Sequence, residues 1–224
     1  MALLAQNRTD NGGLFRDDPP TKRGEGFSPA PRDRFTAHVF ACLLEIGASD
    51  ARVSGSTLGE TLGLCASELG ALVAAWSPAT ANRLAGAPQP AHIVFDEEEQ
   101  QLLALFHRYS CDDSRESHWL AAGLTRRCMA PNHLWQDLGL HSRDELNRLM
   151  RERFPDLAAR NLRNMKWKKH IYRSLCELEG FSLCAAPSCS ECADYAECFG
   201  EESGLSRIAP DAEALRRPLR NDGI

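Results

Sequence analysis

Four cysteines fall within fifteen residues near the C-terminal end, Cys184, Cys189, Cys192 and Cys198, in the spacing C-x4-C-x2-C-x5-C. Thiolates this close repel one another unless a soft cation neutralises them, and the two-residue step lets two sulfurs reach one centre without backbone strain. The chemistry is that of a metal site. Three arrangements compete: a structural zinc, an iron–sulfur cluster, or pairwise disulfides. Structural zinc commonly takes two cysteine pairs set well apart. One short segment wrapping a many-cornered object suits an iron–sulfur cluster better, and C-x4-C-x2-C occurs in plant-type ferredoxins. Met1–Ala5 is too short for the apolar core of an export signal, so a reducing, cytoplasmic setting is expected, which disfavours disulfides.

The charges around the motif are segregated. Cys184 to Glu202 carries Glu191, Asp194, Glu197, Glu201 and Glu202 with no Lys or Arg. Leu157 to Cys176 carries Arg160, Arg163, Lys166, Lys168, Lys169 and Arg173 with no carboxylate. A basic helix beside an anionic thiolate cluster would offset its charge and attract a small oxyanion. A solvated basic helix face accounts for the same run.

These residues need a scaffold. The chain has 224 residues, 43% of them apolar, enough for one sizeable core. Its net charge of -5 argues against broad nucleic-acid binding, and no apolar run approaches a membrane span. Leu, Ala, Arg and Glu dominate, which predicts an all-α fold: a single irregular helical bundle with a C-terminal cysteine-rich metal-binding loop and disordered termini. Residues 1–31, rich in Gly, Pro and charge, read as a disordered lead; 32–202 form the helical domain, including the 184–198 loop; 203–224 read as a flexible tail.

Within the domain, Phe35, Val39, Phe40, Leu43 and Leu44 predict a first helix from Asp33 that stops near Gly47. Two short helices follow, Thr57 to Leu64 and Ser67 to Trp76, the second capped by Ser67. Residues 78–90 read as a surface connection. Asp96 with Glu99 starts a helix ending near Tyr109, and Ser114 caps one running to Cys128. A short helix from Asn132 to Leu138 stops at Gly139, and Ser142 with Glu145 repeats the capping box. Phe154-Pro155 breaks that helix. A last span from Pro155 to Glu179, bent near Asn161 or Asn164, stops at Gly180.

Met165 to Phe181 (MKWKKHIYRSLCELEGF) together with the cysteine motif resembles the NifQ family of nitrogen-fixation proteins. Arg126-Arg127-Cys128, Asn132 to Leu140 (NHLWQDLGL) and Phe154 to Asn161 (FPDLAARN) are similar to the same family, so the resemblance covers about residues 96 to 200. It implies a metal carrier rather than an enzyme, one that holds an iron–sulfur cluster with molybdenum and supplies that metal to the nitrogenase iron–molybdenum cofactor. The implied ligands are Cys184, Cys189, Cys192 and Cys198. The implied partners are molybdate, the cofactor-assembly scaffold and the iron protein, with neither nucleic acid nor membrane.

Other thiols and imidazoles are weaker candidates. Cys176 could add a ligand or pack as a small hydrophobe; Cys128 and His133, flanking Pro131, could meet incoming metal. Cys42 and Cys65 read as buried, Cys111 as an exposed turn residue, and Trp167 as a core anchor or a docking ring. His118, His141 and His170 show no spacing that suggests a shared metal. Three rival functions are considered. Thr57 to Trp76 has the pattern of a helix-turn-helix, as in a metal- or redox-sensing DNA-binding regulator, although Ser67 to Trp76 lacks any Lys or Arg to meet phosphate. A zinc-stapled interaction module and a ferredoxin-like electron carrier are the others.

Overall fold

The computed structural model describes residues 33–78, 87–178, 180, 189 and 192–208. The segment expected to be disordered over 1–31, Cys184, and the chain from 209 onward lie outside them. All regular structure in the described residues is helical, as the composition predicts. The helices are α1 (Arg34–Ser54), α2 (Leu58–Leu62), α3 (Ala66–Trp76), α4 (Glu97–Tyr109), α5 (Arg115–Cys128), α6 (Leu134–Asp137), α7 (Arg143–Arg153), α8 (Pro155–Arg160), α9 (Trp167–Leu178) and α10 (Tyr195–Phe199).

The caps explain most boundaries. Asp33 accepts from the amides of Phe35 and Thr36, and Thr57–Glu60 and Asp96–Glu99 form reciprocal capping boxes, satisfying amides that the first turn leaves open. Four expectations need correction. Helix α1 does not stop at Gly47 but runs to Ser54 and ends at Gly55 in the left-handed conformation. Gly47 serves close packing instead: a Cβ there would lie 2.7 Å from Leu62 Cδ2 and 2.9 Å from Leu58 Cδ1. Cys65, not Ser67, is the N-cap of α3, with its amide donating to the Glu68 carboxylate at 3.0 Å. At α7, Ser142 accepts from the Glu145 amide, but the Glu145 carboxylate turns away to the His141 amide at 2.9 Å, so only half the box forms.

The fourth correction concerns the last helical span, which is interrupted rather than bent. Asn161 brackets Met165, accepting from its amide at 2.7 Å and donating to its carbonyl at 2.9 Å, while Asn164 takes a positive φ of 54°. Asn tolerates this region better than other L residues. The chain turns sharply between α8 and α9.

Helix α5 is the hub. It packs against α2, α3, α4 and α6, and Trp119 through Thr125 are all buried, as expected for a helix enclosed on nearly every side. Gly123 lets α1 approach, since a Cβ there would lie 2.7 Å from Leu43 Cδ2. Phe40 meets Trp119 edge-on at 6.2 Å, and Phe106 meets Phe154 likewise at 5.4 Å.

Polar contacts lock the periphery onto this core. Buried Arg127 donates to Asp50 at 2.5 Å and to the Thr61 carbonyl at 2.8 Å. Asp137, its side chain 0% exposed, receives Lys168 at 2.7 Å, Asn132 at 2.9 Å and Arg207 at 3.1 Å. Arg207 also reaches Asp50 at 2.5 Å, and Ile208 packs beside Gly139. Residues 203–208, within the stretch expected to be a flexible tail, thus return to the domain, and the rest of that stretch lies outside the described residues.

Two measurements check this account. Asp137→Ala leaves Lys168 without its carboxylate beside a buried gap, while Arg207 keeps Asp50, so urea unfolding should show a loss of about 3 kcal/mol. Asp112, before α5, is the second case. Burial raises its carboxyl pKa, but donors from Ser114 and Ser117 outweigh that and hold it down to about 2. Its contribution is thus present above the ordinary carboxylate pKa and lost as pH falls through about 2. The gap in stability between the wild type and Asp112→Ala should be ~1 kcal/mol at neutral pH, after allowance for solvent screening, and close in strong acid.

Candidate metal centre

Helix α9 positions the site. Trp167, buried at its start, donates from Nε1 to Asn147 at 2.7 Å, which makes it a core anchor. His170 is buried, with Nε2 at 3.0 Å from the Leu157 carbonyl, and burial pushes its pKa down, so it holds structure as a neutral ring. Arg143 on α7 donates to the carbonyls of Asn164 and Met165 at 2.8 and 3.0 Å, clamping the turn that leads into Lys166.

The described part of the cysteine segment is pinned to that turn. The Lys166 amide donates to the Cys198 carbonyl at 2.8 Å, and Lys166 Nζ donates to the Ala196 carbonyl at 3.1 Å. Tyr195 and Phe199 stack at 4.7 Å, and the Arg163 guanidinium lies 5.0 Å from the Phe199 ring centre. The Cys192 amide donates to the Cys189 carbonyl at 3.4 Å. Cys189 and Cys192 are free thiols, each half-buried. Soft donors on a short turned segment, partly open to solvent, fit a thiolate-ligated cluster. Cys184 lies outside the described residues.

The basic run divides into two hollows. Lys166, Lys168 and Lys169, with His133, Glu197 and Glu202, line one of about 460 Å³. Arg160, Arg163 and Arg173 line another of about 300 Å³, which also takes in Cys189 and Phe199. Every cation of the run thus borders a hollow that includes part of the cysteine segment. Their charges are not equally available. Lys168 is committed to Asp137 and Arg173 to Glu177 at 2.7 Å, whereas Lys166 and Lys169 meet no carboxylate among the described ion pairs.

The secondary candidates separate. Cys128 is buried, and burial pushes its thiol up to about 12 despite the nearby Lys168 charge, so it packs as a hydrophobe. His133 borders the lysine hollow with Nδ1 3.6 Å from Glu202. Cys176 is half-buried on α9. Cys42 is buried as expected, while Cys65 and Cys111 are both half-buried. His118 pairs with Glu68 at 2.8 Å and stacks on His107. In the helix-turn-helix-like stretch, the exposed positions of α3 are Ala66, Ser67, Gly70 and Ala74, which offer no cation to phosphate. Asp137 and Glu202 escape a sequence reading. Asp137 is an isolated carboxylate in the apolar Leu134–Leu140 stretch, and that isolation was the available signal.

Comparison with known proteins agrees with the motif. No solved structure matches. A protein described as a NifQ homolog in Sinorhizobium fredii is 37% identical over 172 residues, 77% of this chain and 75% of that protein. NifQ of Rhodobacter capsulatus is 35% identical over 79% of this chain and 96% of its own length. NifQ of Azotobacter vinelandii is 43% identical over 48% of this chain and 54% of its own. The NifQ family model matches residues 39–200, from the middle of α1 through the last motif cysteine, and the chain belongs to the NifQ family of nitrogen-fixation proteins.

Proposed function

We propose that this chain is an iron–sulfur-dependent molybdenum carrier that supplies molybdenum for the nitrogenase iron–molybdenum cofactor. The observation that carries the reading is the pair of cation-lined hollows on the cysteine segment. Molybdate is a dianion that must exchange oxygen for sulfur ligands before it joins a sulfide cofactor. Lys166 and Lys169 draw the anion in, and Asn132, in the same hollow, offers polar contacts. Lys168 stays with Asp137 and keeps α9 oriented. A cluster held by Cys184, Cys189, Cys192 and Cys198 would supply soft sulfur ligands for the incoming metal.

Release is as important as capture. Cys189 and Cys192 are only half-buried, and the described part of the segment is held to the domain by the Lys166–Cys198 backbone bond, the Lys166 side chain and the Tyr195–Phe199 stack. Such a site suits a carrier whose cargo is passed to a cofactor-assembly scaffold and the iron protein. The acidic residues Glu197 and Glu201 beside it offer a recognition surface of opposite charge to the helix. Among the described residues no helix is long and apolar enough to cross a membrane.

The test is metal content. Protein purified without oxygen from molybdate-fed cells should contain iron, sulfide and molybdenum. Cys184→Ala and Cys192→Ala should lose both metals. Lys166→Ala combined with Lys169→Ala should keep iron and lower molybdenum several-fold, more so at higher ionic strength in the loading buffer. Zinc at one per chain with no iron would overturn the reading.

A further inference from the structure

Far from the cysteine motif in sequence, two pairs of side chains converge where α1 meets the start of α7. His38 and Cys42 are four residues apart on α1 and share a face; His141 and Glu145 are four apart across the α7 N-terminus. Cys42 Sγ lies 3.6 Å from His38 Nδ1, and one ligand atom each from His38, Cys42 and His141 falls within 4.8 Å of the other two. The His38 and His141 rings stand at 74° to each other with centres 5.2 Å apart. Glu145 organises both histidines: its Oε2 lies 3.0 Å from His38 Nε2 and accepts the His141 amide at 2.9 Å.

We propose that His38, Cys42 and His141 form a binding site for a zinc-class divalent cation, with Glu145 as the carboxylate that orients His38. Glu145 engages Nε2 of His38, and Cys42 Sγ stands almost equally far from Nδ1 and Nε2, at 3.6 and 3.7 Å, so a turn of the ring would direct Nδ1 to a cation shared with the sulfur. Carboxylate, imidazole and metal in series fix the tautomer and raise the basicity of a ligand. Two imidazoles and one thiolate make a borderline donor set that suits zinc or cobalt, in contrast to the all-sulfur motif at the other end of the chain. Three protein ligands leave a fourth position to water.

Size and charge are also suitable. Donors around a tetrahedral zinc stand about 3.4–3.8 Å apart, so the His38–Cys42 pair is already spaced for one and His141 must close by about 1 Å. His141 lies in the non-helical connection between α6 and α7, where such a movement disturbs no helical hydrogen bond. Cys42 is buried, so a bare thiolate there would be costly, and a bound dication offsets that cost. The site would staple α1 to the α6–α7 connection, next to Gly139, whose left-handed turn packs against the Cys42 carbonyl. It lies outside the proposed molybdenum site and does not depend on it.

The test uses the full chain with Cys184, Cys189, Cys192 and Cys198 all changed to Ser, so the motif cannot contribute. Titrated with cobalt under reducing, oxygen-free conditions, this chain should bind one ion with a thiolate-to-cobalt charge-transfer band. Zinc should displace the cobalt and bleach the band. His141→Ala should raise Kd at least tenfold with the far-ultraviolet circular dichroism unchanged, Glu145→Gln should raise it less, and Cys42→Ser should abolish the band. Absence of the band in the four-serine chain, its survival in Cys42→Ser, or an unchanged Kd in His141→Ala would each overturn the proposal. Iron and molybdenum counts on the unmodified chain report separately on the cysteine motif.

Discussion

Two carboxylates hold the molecule in register. Asp50 and Asp137 between them bind Arg127, Lys168 and Arg207, and so join α1, α5, α6, α9 and the returning C-terminal segment in one ion network. Removing such charges from water costs several kcal/mol per ion, so the network adds little net stability but tolerates few alternative arrangements. Its effect is positional. Lys168 is held at Asp137 on one side of the hollow that Lys166 and Lys169 also line.

The electrostatic contrast between neighbouring stretches follows from this geometry. The basic run borders two hollows because α9 and the turn before it present cations to more than one side. Within each, some charge is already balanced and some is not. Under the proposed role, the few cations that meet no carboxylate among the described residues would suit a small dianion better than a polyanion. Glu202, 3% exposed between His133 and Arg143, sets the acidic limit of the lysine hollow.

Much of the fold was legible in the sequence because its signals are local. Asp96 and Ser114 each cap the helix expected of them, Asp33 and Thr57 stand at the expected starts of α1 and α2, and the apolar spacing of α1 identified its buried face. The failures share a cause, which is competition from distant partners. Gly47 looked like a stop but serves the packing of Leu58 and Leu62. Glu145 looked like half of a capping box but is recruited by His38, 107 positions away. The motif cysteines were legible because four thiols at short spacing have few other uses. The grouping of His38, Cys42 and His141 was not, since linear spacing cannot reveal a cluster assembled from a helix and a distant connection. Nor could a run of basic residues show which of them would be neutralised.

The return of the chain after the cysteine segment changes what that segment is. Residues 203–208 return to the domain through Arg207 and Ile208, and the Lys166 amide before α9 holds the Cys198 carbonyl, so the described end of that segment is anchored. An anchored end leaves less chain entropy to be lost when ligands gather around an ion. Under the proposed carrier role, emptying and refilling would then start from a fixed point on a folded body.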